Sequence, residues 1–359
     1  MVAPQLNSSY FLWQIPDASF SNVDGTCKVT ITIGGSSIEE LYQPSASAIV
    51  TISDLSSLVA DYVRPVNVEG GFYAGSSVVS NIAPSVRIEA EDKNGVASVE
   101  FTVMPARQRN ADLYNSLFLQ RWRSREVLMD EVFTVSYYNP ARTLRLTLYY
   151  VYNGQEISRY IDFSGSGSSY NMMTRCFSAS WIASEVGVSA SSIVRCTLQL
   201  FDGGGSSDII YITFNHHGSH AFRQIFFDNF MYAPEAFAFR GLHTASPVLN
   251  SSYLQSGANL RRVDSENYTE YRTNSGFVDD AMFATLQDLA TAERAAFVAD
   301  GAVVPMLVTG LENNWARPKT RPSSVTVVYR ETSVYGTTVR NDIGSRRGLF
   351  DRPYSLTFD

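Results

Sequence analysis

The sequence predicts a mainly β protein: two N-terminal β-sandwich-like domains followed by a C-terminal β-rich domain with short helices. Three observations predict it. Aromatic residues reach 13%, with 20 Tyr and 21 Phe, and Val, Ile and Thr are frequent, the side chains that fit a pleated, half-buried surface. Apolar and polar residues alternate with period two over several short runs. Tight-turn dipeptides, Asn94-Gly95 and Asn153-Gly154 above all, punctuate those runs.

At 359 residues the chain exceeds the usual single-domain length, and 45% hydrophobic with 18% charged residues is a globular composition. A first β domain is expected over 1–105. Cys27 to Ile33 (CKVTITI) alternates and ends at Gly34-Gly35, a turn signal. In SDLSSLVADYV, Leu55, Leu58, Val59 and Tyr62 fall at i, i+3, i+4 and i+7 behind a Ser53 or Asp54 cap. That spacing predicts one short amphipathic helix, stopped by Pro65. Val86 to Ala90 and Val99 to Val103 flank the turn DKNG, which predicts a hairpin over 86–104. From Ala111 to Glu131 alternation is lost, so 106–135 reads as a partly helical connector carrying Arg121, Arg123 and Arg125.

A second, β-sandwich-like domain is expected over 136–214. TLRLTLYYVYNGQEISRYIDF places two alternating runs around Asn153-Gly154, the strongest short hairpin signal. After the flexible GSGSS loop at 164–168, IVRCTLQLF and IIYITF flank DGGGSSD and read as another hairpin. A third, β-rich domain is expected over 215–334. It opens with the aromatic strands AFRQIFFDNF and AFAFRG, followed by ENYTEYRTNSG and a helical segment over 279–300. There Met282, Phe283, Leu286 and Leu289 share one face and Gly301 ends the helix. VVPMLVTG and SSVTVVYRE supply a final strand pair, and 335–359 reads as an extended C-terminal arm that orders against a partner.

Charge and motifs bound the function. A net charge of -7 and a pI near 5.2 argue against a general polyanion binder, so nucleic acid is not expected as a partner. Only Lys28, Lys93 and Lys319 are lysines among 28 basic residues, an arginine bias that suits desolvated ion pairs and subunit contacts. Cys27, Cys176 and Cys196 match neither a CxxC pair nor a disulfide framework, which suits a reducing compartment. No apolar stretch approaches a membrane span and the first residues lack a secretory pattern, so synthesis in a cytoplasm is expected.

Three imidazoles, His216, His217 and His220, stand in FNHHGSH and are the residues that would ligate Zn2+ or Fe2+. Gly218 inside the cluster and the strand-like flanks read instead as a polar turn, so no metal or other cofactor is expected. Arg107, Arg109, Arg121, Arg123 and Arg125, with Trp122 among them, form the dense basic cluster. Arg and aromatic residues so interleaved can stack on single-stranded bases. Glu126, Asp130 and Glu131 follow at once, so Arg121, Trp122, Arg123 and Arg125 read as a subunit-facing surface, together with Arg346, Arg347 and Phe350 of the C-terminal arm. Exposed Trp122, Trp181 or Trp315 would be platforms for carbohydrate. No GxSxG elbow, Walker loop or GxGxxG after a strand is present, so no catalytic residues are assigned and no enzyme is expected.

ELYQPSASAIVTISDLSSLVADYV, SVRIEAEDKNGVASVEFTVMPAR, SLFLQRWRSREV, FRQIFFDNFMYAPEAFAFRGLHT and VPMLVTGLENNWARPKTRPSSVTVVYRE follow one another along nearly the whole chain. In that order they resemble tail and baseplate virion structural proteins of Bacteroidota phages and prophages. The resemblance implies a non-enzymatic virion component, made in the bacterial host cytoplasm. It would assemble as a symmetric oligomer with other copies of itself and with other tail proteins. The alternatives are a carbohydrate-binding adhesin that contacts a host-surface glycan and, last, a metal-dependent hydrolase centred on the three histidines.

Overall fold

A computed structural model describes residues 1–63, 67–68, 70–106, 117–167, 170–202, 205–216, 222–256, 259–314 and 323–332, with the backbone alone over 250–267. The protein is mainly β, with several sheets and a few short helices. It divides into two compact units. The first comprises Met1–Val66, Tyr73–His216 and Asp228–Glu235; the second comprises Asn67–Phe72, His217–Phe227 and Ala236–Asp359.

The first unit begins with β1 (Ser9–Phe11), β2 (Ala18–Ser21), β3 (Cys27–Ile33), β4 (Ser36–Tyr42), β5 (Ile49–Ile52), α1 (Leu55–Ala60), β6 (Ser77–Ser80), β7 (Ser85–Asp92) and β8 (Gly95–Met104). A five-stranded sheet runs in the order β1-β8-β7-β3-β4, and β2 pairs with β5. Period two explains the sheet, because Cys27, Val29, Ile31 and Ile33 of β3 are buried and the residues between them are half-exposed. Gly34 and Gly35, at φ of +55° and +95°, turn β3 into β4. The 86–104 hairpin forms as expected, with Asp92 opposite Gly95. α1 buries Leu55 and Val59 in the same core as Phe20, Ile31, Ile88 and Phe101, and Asp54 accepts a hydrogen bond from the Ser57 hydroxyl at 2.8 Å.

The same unit continues with β9 (Ser124–Leu128), β10 (Phe133–Tyr138), β11 (Thr143–Tyr152), β12 (Gln155–Phe163), β13 (Met172–Phe177), α2 (Ala179–Val186), β14 (Ile193–Asp202), β15 (Gly205–Ser206) and β16 (Ile210–Asn215). A six-stranded sheet runs β12-β11-β14-β16-β9 with β15 on β14, and a three-stranded sheet runs β10-β13-β6. The β11–β12 hairpin turns at Asn153 and Gly154, both at positive φ (50° and 78°), as a primed two-residue turn requires. Phe163 of β12 meets Phe177 of β13 at 5.8 Å and Trp181 of α2 at 6.2 Å, which joins the inner face of the large sheet to the small one. The connector expected to be partly helical over 106–135 shows no helix in its described part, where β9 and the start of β10 lie between bends and turns. Arg125 and Val127 face inward while Ser124 and Glu126 face outward, a strand period that the charged residues conceal.

The second unit holds β17 (Arg223–Asp228) up to Phe227, β18 (Pro234–Phe239) from Ala236 onward, β19 (His243–Ser256), β20 (Asn259–Asn274), α3 (Asp280–Gln287), β21 (Ala295–Ala299), β22 (Ala302–Asn314) and β23 (Ser324–Glu331). They form one seven-stranded sheet, β18-β17-β21-β22-β23-β20-β19. Its core includes the rings of Tyr271, Phe297 and Tyr329, with centroids 5.0–5.6 Å apart. α3 starts where the carboxylate of Asp279 accepts the Met282 N–H at 2.7 Å. The helix expected to run from 279 to 300 stops at Gln287, continues as a 3-10 turn to Ala290, and gives way to β21. Ala295, Ala296 and Phe297 are buried between β17 and β22, and this burial overrides the helix propensity of alanine. Among the described residues, no helix is long and apolar enough to cross a membrane.

Candidate interaction surfaces

The outer face of the six-stranded sheet follows from strand parity. Leu144, Leu146, Leu148 and Tyr150 of β11 are buried, so Thr143, Arg145, Thr147, Tyr149 and Val151 stand on the opposite face. Register extends this across the sheet: Thr147 lies opposite Tyr160 of β12 and Thr197 of β14, and Thr197 lies opposite Tyr211 of β16. One transverse row therefore reads Tyr160, Thr147, Thr197, Tyr211. The neighbouring rows read Ser158, Tyr149, Arg195, Thr213 and Asp162, Arg145, Gln199. Tyr160 is 64% exposed and Tyr211 is 52% exposed.

Both arginines on this face are tied down. Arg145 donates Nε and Nη2 to the two carboxylate oxygens of Asp162 at 2.7 and 2.8 Å, and its guanidinium lies 4.5 Å from the Tyr160 ring centre and 4.9 Å from that of Phe201. That fork holds the Asp162 carboxyl below the ordinary carboxylate range. Arg195 donates to Glu156 at 2.7 Å and covers Tyr149 at 4.5 Å. Beyond Phe201 the face ends in a shallow depression of about 640 Å³, lined by Asn139, Arg142, Thr143, Phe201 and Ser206 among others. The sheet edge at β12 is guarded: inward-facing Arg159 lies over Tyr150 and donates to the carbonyl of Val186, at the C-terminus of α2, at 3.2 Å. An inward charge on an edge strand opposes pairing with another strand, and a cation at a helix C-terminus is favourable.

A second surface lies in the second unit. β19 and β20 pair from His243 with Thr273 to Ser256 with Asn259, yet β20 reaches β23 only through Tyr271–Asn274. Over 259–270, β20 has no further strand partner among the described residues. At roughly 3.3 Å per residue this leaves a two-stranded ribbon about 40 Å long. Pro247 sits on β19, the outermost strand, and is exposed. Proline within a sheet sits where its missing N–H faces away from the ladder, so it blunts the outer edge of β19.

The sequence-predicted residues fall differently. Trp122 is fully buried, and its Nε1 donates to the Glu235 carboxylate at 3.2 Å. The same carboxylate accepts Asn229 Nδ2 at 3.0 Å, while Asn229 Oδ1 accepts the backbone N–H of Met231 and Ala233. Arg125 pairs with Glu131 inside the unit, both side chains almost wholly buried, and the second Glu131 oxygen accepts the Leu128 N–H at 3.0 Å. Trp122 and Arg125 are therefore neither an exposed subunit-facing pair nor a carbohydrate platform. Their ring and charge satisfy an internal polar network. Arg121 stacks on Phe230 at 3.9 Å, and Arg123, partly exposed, donates to the carbonyl of Gln120 at 2.6 Å and lies 3.8 Å from Asp208.

Trp181 is partly buried against Phe163 and Phe177 rather than free. The imidazole Nε2 of His216 meets the backbone carbonyl of Ile193 at 2.6 Å. Among the described residues no group of His, Cys, Asp and Glu is placed to hold a metal. His217, His220, Arg107, Arg109, Trp315, Arg346, Arg347, Phe350 and the 335–359 arm lie outside the described residues. Cys27, Cys176 and Cys196 are free and buried. Sequence reading missed the outer sheet face, although its signal was present: the polar half of TLRLTLYYVYNGQEISRYIDF carries tyrosine and arginine where a plain solvated face needs neither.

No family model matches the chain, and no curated protein matches it. Solved structures that do match include a chimeric titin Z1Z2-Z1Z2 tandem functionalised with a GRGDS peptide from fibronectin. It is 15% identical over 56% of this chain and 91% of that one, at a TM-score of 0.15. Another is a variant of the three-Ig titin segment I67–I69, 11% identical over 81% of this chain and 89% of that one, at a TM-score of 0.16. At TM-scores this low the likeness assigns neither fold nor function.

Proposed function

We propose that the chain is a non-enzymatic structural component of a phage tail or baseplate, assembling as a symmetric oligomer with other tail proteins. The observation that carries this reading is the β19–β20 ribbon, in which β20 has no further strand partner over 259–270 among the described residues. A two-stranded ribbon is marginal in water on its own, and an open edge is a template for a further strand. Partner strands from neighbouring subunits would complete it by β-augmentation. The guarded β12 edge supports the same division of labour, with one edge closed and one left available. The resemblance in segment order to tail and baseplate proteins supports the setting.

The test is light scattering on the wild-type chain and on a variant in which residues 249–267 are replaced by Asn-Gly, joining Val248 to Tyr268 through a tight turn. The wild type is expected to run as a multiple of the 39.8 kDa chain mass, and the variant as a smaller, folded species. A wild-type monomer at high concentration that also retains no co-expressed tail protein overturns the reading.

A further inference from the structure

We propose that the strand which completes β20 is formed by residues 354–358 of a second copy of this chain. The inference rests on the assembly reading and names its partner. Over 259–267, β20 pairs with β19 alone among the described residues, which leaves an edge about 30 Å long. β23 ends beside the near end of that edge. Tyr271 Oη donates to the Glu331 carboxylate at 2.7 Å, and the Arg330 guanidinium lies 5.1 Å from the Tyr268 ring centre. Thr332 still follows β22, giving its backbone N–H to the carbonyl of Pro305 at 3.0 Å. Residues 333–359 come next in the chain.

Sequence pattern selects the occupant. In PYSLTF, Tyr354, Leu356 and Phe358 alternate with Ser355 and Thr357 behind Pro353, the period of a strand with one apolar face. The residues directly after Thr332 lack that period: SVYGTTVRN sets Val334, Gly336 and Arg340 on one parity, and glycine weakens a strand interior. A copy that closed its own edge would do so with 333–341, so the alternating run stands too far along for that task. The 21 residues of 333–353 lie between Thr332 and the run. Extended, they reach about 70 Å, far enough to carry the run to a neighbour. Charge agrees with that path. Arg340, Arg346, Arg347 and Arg352 stand against Asp342 and Asp351 there, a basic stretch on a chain of net charge -7, so its passage over an acidic neighbour is favoured. Exchange of an element between identical copies is a low-cost route to a symmetric oligomer. Backbone pairing supplies the affinity and the alternate side chains fix the face.

Light scattering on two complementary full-length variants tests the proposal. Leu356→Pro removes a backbone N–H from the donated strand and leaves β20 intact, whereas replacement of 249–267 by Asn-Gly keeps the donated strand and removes the edge. The wild type is expected to run as an oligomer and each variant alone as a smaller species. Mixed in equal amounts, the two should form a complex of one copy of each, because one retains the strand and the other the edge. In that complex, amide exchange over 259–267 should be about tenfold slower than in the Leu356→Pro chain alone. Leu356→Val, which keeps the alternation, should run at the wild-type mass. An unchanged near-ultraviolet dichroism spectrum confirms that each variant is folded. Leu356→Pro running at the wild-type mass overturns this inference and leaves the assembly reading standing, with another strand on β20. A mixture that forms no complex overturns it as well. A monomeric wild type overturns both.

Discussion

Arg125 shows what burial does to a charged side chain. Its partner Glu131 is equally enclosed, and removing one member takes from the other a counterion it holds in the interior. Arg125→Ala should therefore destabilise the protein by about 3–5 kcal/mol, whereas the double change Arg125→Met with Glu131→Leu should recover part of that loss. Urea unfolding midpoints of the two variants check both statements. Trp122→Phe removes the N–H that Glu235 accepts and puts a smaller ring in a fully buried site, and the lost bond alone should cost about 1–3 kcal/mol by the same assay. Asp92 adds a pH dependence. Its carboxylate accepts the backbone N–H groups of Asp24 and Asn94 at 3.0 and 2.8 Å, and these bonds hold its pKa below the usual carboxylate value. A depressed folded-state pKa gives stability that is present above the unfolded value near 3.9 and lost as pH falls through the folded one. Asp92→Asn should flatten the acid limb of a stability-versus-pH curve; an unchanged limb contradicts the assignment.

Strand parity accounts for the inward place of Arg125 in the arginine cluster. Arg125 shares its inward face with Val127, and Ser124 and Glu126 alternate with them, so a strand was legible in SREVL. The density of charge hid it, because a buried ion pair and a solvated one look alike until a partner is located. Glu235, which receives Trp122, lies far along the chain, and no local pattern could place it there.

Elements whose information is local were the legible ones. Asn153-Gly154 specifies its turn through two positive φ values, and Gly154→Ala should cost about 1–2 kcal/mol, measured by thermal or urea unfolding, because a Cβ is strained there. Strand β3, the 86–104 hairpin and the β22–β23 pair were legible for the same reason. Elements decided by tertiary burial were not. Residues 295–299 carry helix-forming alanines and become strand because β17 and β22 cover them on both sides. α2 was overlooked although Ser178 caps it at Trp181 N and Gly187 ends it at a φ of +73°, signals outweighed by the strand-rich flanks. The ribbon was half legible: ENYTEYRTNSG reads as a strand, but nothing in it states that most of β20 leaves the sheet.

At the scale of the whole molecule, the second unit carries a β20 edge with no further strand partner over 259–270 among the described residues, and the first a sheet face bearing Tyr160 and Tyr211. The account predicts that the edge governs assembly. Amide hydrogen exchange over residues 259–270 tests that claim directly when followed in the wild-type protein from dilute to concentrated solution. The account predicts exchange that is fast in the dilute chain and slows as the oligomer forms. Equally fast exchange at every concentration, in a protein whose mass nevertheless rises to the oligomer, would contradict it.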